Sequence, residues 1–141
     1  MDDSVDKLIK QLKKHEGLEL KPYKCTSNKL TIGIGRNLED VGISEIEAEY
    51  LLMNDLDTYM TAAKTYDWYN GLNDARKAVI VSMLFNMGQT NFNKFLKMKQ
   101  ALSVGDYPEA AKQMLDSRWA KQVKGRAVEL SKQMETGKWQ P

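Results

Sequence analysis

Residues 16–35, EGLELKPYKCTSNKLTIGIG, set a carboxylate, a thiol and a hydroxyl at fixed intervals: Glu16, eight residues, Cys25, five residues, Thr31. A carboxylic acid can protonate a leaving oxygen. A second polar group opposite it can hold water or steady developing positive charge. A free thiol ionises near pH ~8.5, so it is only a few per cent thiolate at pH 7 unless positive charge lies close by. Lys21, Lys24 and Arg126 are the candidates for that charge.

These groups need elements that aim them. Val5, Leu8, Ile9 and Leu12 recur at helical spacing, with Asp3 or Ser4 able to cap the start and Gly17 the end. Four residues past Leu12 the apolar stripe reaches Glu16. The acid is therefore expected on the core-facing side, where desolvation would favour its protonated form. The plain alternative is a helix-terminal Glu turned out to water. Residues 21–25 and 29–35 read as strands flanking the polar loop Thr26-Ser27-Asn28. On the second strand Leu30, Ile32 and Ile34 share one face, and Thr31, Gly33 and Gly35 share the other. The two glycines leave a bare strip of backbone open to a ligand, or else mark a bulge or bend. The run is not a dinucleotide fingerprint, because the third glycine position is occupied by Leu38.

The remaining chain reads as helices. Ser44 and Glu47 form a capping box for a helix to about residue 64. Asn73 caps another, whose stretch 78–87 is apolar on nearly every side and ends at Gly88, which makes it a buried central helix. Further helices are expected over 91–100, over 108–115 with Asp106 or Tyr107 near the cap, and over about 125–135, stopping at Gly137. The eight methionines are expected as core filler.

Composition excludes more than it selects. A length of 141 residues suits one domain. A single cysteine rules out an internal disulfide. The opening MDDSVDKLIKQLKK is too charged for a signal peptide, and no apolar run approaches membrane-spanning length. Folding in the cytoplasm and no stable membrane insertion are therefore expected. Bases outnumber acids from Lys112 onward within a net charge of +2, which suits an anionic wall or simply a solvated helix face. Nucleic acid is not expected, since no recognised motif accompanies so small an excess. His15 and Cys25 offer neither metal-ligand spacing nor a protease-dyad motif. No metal and no cofactor are called for.

The triad segment resembles the active-site hairpin of phage-type lysozymes, glycoside hydrolase family 24, in which Glu, eight residues, Asp or Cys, five residues and Thr recur. Glu47-Ala48-Glu49, LFNMGQT from Leu84, SRW from Ser117, Arg126-Ala127 and TGKW from Thr136 resemble family segments in the same order, so the resemblance covers nearly the whole chain. Two departures stand out: the second position is Cys25, and the link over 36–43 is shorter than in the best-known member.

The resemblance implies an α+β, predominantly α, lysozyme-like domain over 1–141. It would have a hairpin lobe at about 16–43, a bridging helix at about 45–64, and a helical lobe at about 65–141 plus the N-terminal helix. It also implies an endolysin hydrolysing the β-1,4 bond between N-acetylmuramic acid and N-acetylglucosamine in peptidoglycan glycan strands. Glu16 would be the general acid, with Cys25 and Thr31 handling water, Gly35, Phe85 and Gln113 binding substrate, and Arg126 supporting Glu16. The alternatives are core packing for Phe85 and a solvated helix face for Gln113. The implied biology is a monomer in the host cytoplasm that depends on a holin for release to the periplasm and wall, and then lyses the host. A lytic transglycosylase and a non-catalytic wall-binding protein are the competing readings. The water-handling pair favours hydrolysis over transglycosylation.

Overall fold

The computed structural model describes residues 3–141. Seven helices and one three-stranded antiparallel sheet are present among the described residues, and the chain divides into two compact units at Tyr50/Leu51. This is the expected α+β, mostly helical composition.

In the first unit, α1 (Asp3–Glu16) already takes in Asp3 and Ser4, and Asp3 pairs with Lys7 one turn on at 3.1 Å. It ends as expected, with Gly17 at φ +79° returning its N–H to the Lys13 carbonyl at 2.9 Å. The apolar stripe does not face a core, however. No residue of α1 is buried, and Val5, Leu8 and Leu12 are exposed.

β1 (Glu19–Lys24) pairs with β2 (Leu30–Gly33), and β2 pairs in turn with β3 (Arg36–Asn37). The loop between β1 and β2 is Thr26-Ser27-Asn28 within a tight turn. The Cys25 N–H bonds the Lys29 carbonyl at 3.0 Å, the Asn28 N–H bonds the Cys25 carbonyl at 2.8 Å, and Asn28 sits at φ +62°. That is the three-residue hairpin with a left-handed third position, a conformation asparagine tolerates.

The second expected strand is shorter than 29–35. It stops at Gly33, the chain turns through Ile34 and Gly35, and Arg36–Asn37 return as a third strand. Gly33 and Gly35 both stand at φ +72°, so the pair makes a turn and not a continuous strip. Ile34 accordingly lies in the turn and not on β2 with Leu30 and Ile32.

The capping box ahead of α2 (Glu45–Ala63) is reciprocal. The Glu47 N–H donates to Ser44 Oγ at 3.1 Å, and the Ser44 N–H donates to Glu47 Oε1 at 2.9 Å. Glu47 also takes Arg36 Nη1 at 2.8 Å, tying β3 to the first turn of α2. The Arg36 guanidinium and the Ser44 amide hold the Glu47 carboxyl down at about 2.

The second unit has its own core. α3 (Asp74–Phe92) starts at Asn73, whose Oδ1 accepts the Arg76 N–H at 3.0 Å, and buries Val79, Ile80, Met83 and Leu84. Its regular part ends at Gly88 (φ 80°, ψ 163°), the expected stop. A continuous helix over 91–100 does not form. A short turn runs to Phe92, the chain breaks at Asn93–Phe95, and α4 (Leu96–Ser103) begins afresh. The break lets Phe92 and Phe95 stack, with centroids 6.3 Å apart and Phe92 fully buried, so ring packing overrides local helical propensity.

α5 (Tyr107–Leu115) starts on Asp106, which accepts the Glu109 N–H at 3.2 Å. The short α6 (Arg118–Val123) was not expected and starts on Ser117, whose Oγ accepts the Ala120 N–H at 3.1 Å. α7 (Gly125–Thr136) stops at Gly137 (φ +68°). It binds its neighbours through polar groups that are satisfied although buried: Ser131 Oγ donates to the Ala111 carbonyl at 3.1 Å, and Gln133 Nε2 to the Ala75 carbonyl at 2.8 Å. Met83, Met98, Met114 and Met134 fill this core, whereas Met53 and Met60 are exposed.

Candidate functional site

In the first unit four candidate side chains or backbones fall into two contacts. Glu16 is the last residue of α1, and its side chain lies over the α-carbon of Gly35: a β-carbon there would stand 2.8 Å from Glu16 Oε2. The burial expected of Glu16 is not found. The residue is exposed, because the stripe it continues is itself unburied.

Cys25 and Thr31 form the second contact, at the turn end of the β1–β2 ladder. Thr31 is the one buried residue among the described residues of this unit, at 3% exposure, and its Oγ1 donates to the Lys29 carbonyl at 2.9 Å. The Cys25 thiol is half-buried and is pushed below its ordinary value. The chief cause is the backbone N–H of Lys29, then that of Ser27. Partial desolvation opposes them, and the Thr31 hydroxyl adds to them.

The expected source of that shift was lysine or arginine charge. Lys24 and Lys29 instead turn to acids, with Lys24 Nζ 3.7 Å from Glu39 and Lys29 Nζ 3.5 Å from both Glu39 and Asp40. The amides of the tight turn supply the positive end, as they do for an Asp that begins an Asx-turn. Ser27 and Lys29 were missed as contributors. The signal was present in Asn28, because an asparagine closing a three-residue loop implies this turn and hence these amides under residue 25.

Thr31 has one proton, which serves either the Lys29 carbonyl at 2.9 Å or the Cys25 sulfur, and in both cases the oxygen keeps lone pairs to accept with. The pair can thus accept a hydrogen bond from water at Thr31, while the thiolate form of Cys25 faces the partial positive charge of the turn amides.

The other candidates lie in the second unit. Phe85 is on α3, 40% exposed and edge-on to Tyr59 at 5.7 Å, so simple core packing does not describe it. It borders an apolar hollow of about 590 Å³ with Leu56, Met60, Val81 and Trp139. Gln113 on α5 is half-buried, donates to Glu109 Oε1 at 2.8 Å, and borders a different hollow of about 680 Å³ with Phe95, Arg118 and Trp119. In that hollow Trp119 is locked by its Nε1 donating to Asn86 Oδ1 at 2.7 Å, a bond that sequence reasoning did not foresee. Arg126 is exposed in the first turn of α7.

A mostly helical chain with one small antiparallel sheet is consistent with an α+β, lysozyme-like fold. Comparison with known proteins agrees: the phage lysozyme family matches residues 13–134. The chain belongs to the phage lysozyme family and is a lysozyme-type hydrolase of peptidoglycan. It is 33% identical over 124 residues to an endolysin of Acyrthosiphon pisum secondary endosymbiont phage 1, covering 84% of this chain and 82% of that protein. It is 28% identical over 163 aligned positions to a probable T4-type lysozyme 2 of Dictyostelium discoideum, covering 94% and 96%. A third relative is the pre-baseplate central spike protein Gp5 of Enterobacteria phage T4, 29% identical over 92% of this chain but only 28% of that protein.

Proposed function

We propose that this lysozyme acts as an endolysin, a muramidase that hydrolyses the β-1,4 bond between N-acetylmuramic acid and N-acetylglucosamine, with Glu16 as the general acid. The observation that carries this reading is the hairpin unit itself: one acid seated on a bare backbone carbon, and one thiol held under two amides beside a buried threonine. No hydrogen-bond donor among the described residues occupies the Glu16 oxygens, and the residue is exposed.

Glu16 gives its proton to the glycosidic oxygen as that bond breaks, and the departing sugar becomes a free alcohol. The other sugar develops oxocarbenium character, which the Cys25 thiolate steadies. Water adds its oxygen to the anomeric carbon, its proton passes to the Cys25 thiolate, and the product is a reducing end; the cycle closes when Cys25 loses that proton to solvent and the Glu16 carboxylate regains one. Cys25 and Thr31 orient that water, Thr31 by accepting from it. Phe85 and Gln113 are carried forward as substrate contacts and Arg126 as the supporting cation. The whole chain works as one lysozyme domain, in a monomer.

No helix among the described residues is long and apolar enough to cross a membrane. We place the enzyme in the host cytoplasm until a holin-type partner breaches the inner membrane, after which it reaches the wall and lyses the cell. Expression alone in a Gram-negative cell should leave the cell intact until the membrane is permeabilised, and prompt lysis without a partner would contradict this. The chemistry is tested by digesting purified peptidoglycan and weighing the fragments. Hydrolysis adds one water and leaves reducing ends. Anhydro ends would establish a transglycosylase, and undigested wall a binding protein.

A further inference from the structure

We propose that Gly35 is a positioning residue for Glu16: its bare α-carbon is the seat on which the acid's carboxylate rests. The inference builds on the reading of Glu16 as the general acid and changes the role expected of Gly35 from contacting substrate to placing the acid.

Three atoms of the Glu16 side chain crowd the position a Gly35 β-carbon would take: Oε2 at 2.8 Å, Cδ at 3.1 Å and Cγ at 3.2 Å. Ordinary van der Waals contact begins near 3.4 Å, so any side chain at 35 would drive Oε2 back by at least about 0.6 Å. The crowding atoms belong to the flexible end of a glutamate, so the acid would swing aside while the fold stays intact. Gly35 also stands at φ +72° in the β2–β3 turn, so backbone strain and loss of the seat must be separated. Gly42 makes that separation possible. It lies in the same unit at φ +68°, and a β-carbon there meets nothing within 4 Å.

The test is steady-state kinetics on soluble, uncrosslinked glycan strands with folded Gly35→Ala, Gly35→Asn and Gly42→Ala. Asparagine adopts positive φ readily, so Gly35→Asn decides the matter if Gly35→Ala fails to fold. Misplacement of a catalytic group by about 1 Å costs on the order of 10²-fold. Both Gly35 variants should therefore lose roughly ten- to hundredfold in kcat with KM within about twofold, while Gly42→Ala keeps its kcat. A raised KM with kcat intact would show that Gly35 serves substrate approach instead. Wild-type kcat in both Gly35 variants, or an equal loss in Gly42→Ala, would also overturn the proposal. Glu16→Gln run alongside keeps the two ideas apart. If it is inactive, the acid assignment stands and the Gly35 variants judge the seat alone; if it is active, the acid assignment itself falls.

Discussion

Arg76 joins the two ends of the second unit's architecture, and removing it should cost a measurable share of stability. Its guanidinium donates from Nε to the Met134 carbonyl at 2.7 Å and from Nη2 to the Glu135 carbonyl at 2.9 Å, and it lies 3.8 Å over the Tyr107 ring. It therefore caps the carbonyl end of α7 while stacking on the start of α5, and α7 is the helix that carries Arg126. Arg76→Met keeps the apolar stem and deletes the fork. The partly buried bond to Met134 contributes roughly 1.5–2 kcal/mol as a charged donor. The exposed bond to Glu135 contributes roughly 0.5 kcal/mol, and the stacking roughly 0.5–1 kcal/mol. The expected loss is about 3 kcal/mol, which for 141 residues is about 10 °C in Tm. Arg76→Lys retains the charge but not the fork and should lose about half as much. Urea melts at neutral pH measure both. A loss below about 0.5 kcal/mol for Arg76→Met would refute the reasoning, because solvent would then be serving those carbonyls as well as the guanidinium does.

Cys25→Asp should stay within roughly tenfold of wild-type wall clearing, since a carboxylate can accept from the same Lys29 and Ser27 amides, whereas Cys25→Ala should lose much more. Alkylating the thiol should inhibit wild type and spare Cys25→Asp, and the alkylation rate should rise with a midpoint below the usual ~8.5; a folded, fully active Cys25→Ala would move the residue out of the site. The Arg36–Glu47 pair depresses the Glu47 carboxyl to about 2 from an unfolded value near ~4.3, so its stabilisation is complete above that value and fades as pH falls towards 2. Melts of wild type and Glu47→Gln should accordingly differ at pH 6 and converge near pH 2, and a pH-independent difference would contradict the linkage.

Legibility followed the range of the interaction. Asn73, Asp106, Gly88, Gly137 and the Ser44/Glu47 box were readable because a cap is chemistry within three or four residues of chain. β3 has two residues and α6 has six, too few for periodicity to register. The break before α4 depends on where Phe92 and Phe95 find the core, which local propensity does not encode. At the candidate site the residue types and intervals were visible, but the forces on them were not. Charge counting pointed to Lys21, Lys24 and Arg126, whereas backbone amides face Cys25 while Lys24 turns to Glu39. The glutamate's pattern pointed to burial, whereas Glu16 is exposed on a glycine seat that only the turn at φ +72° creates.

The central claim is that one carboxylic acid, Glu16, supplies the proton that breaks the glycosidic bond. Glu16→Gln keeps the shape and removes that proton. Its release of reducing ends from purified peptidoglycan, measured beside wild type with both proteins shown folded by their melts, is the most direct test. The account predicts a fall of at least ~10², the lower range for losing general acid catalysis. A folded Glu16→Gln that releases reducing ends at close to the wild-type rate would contradict it.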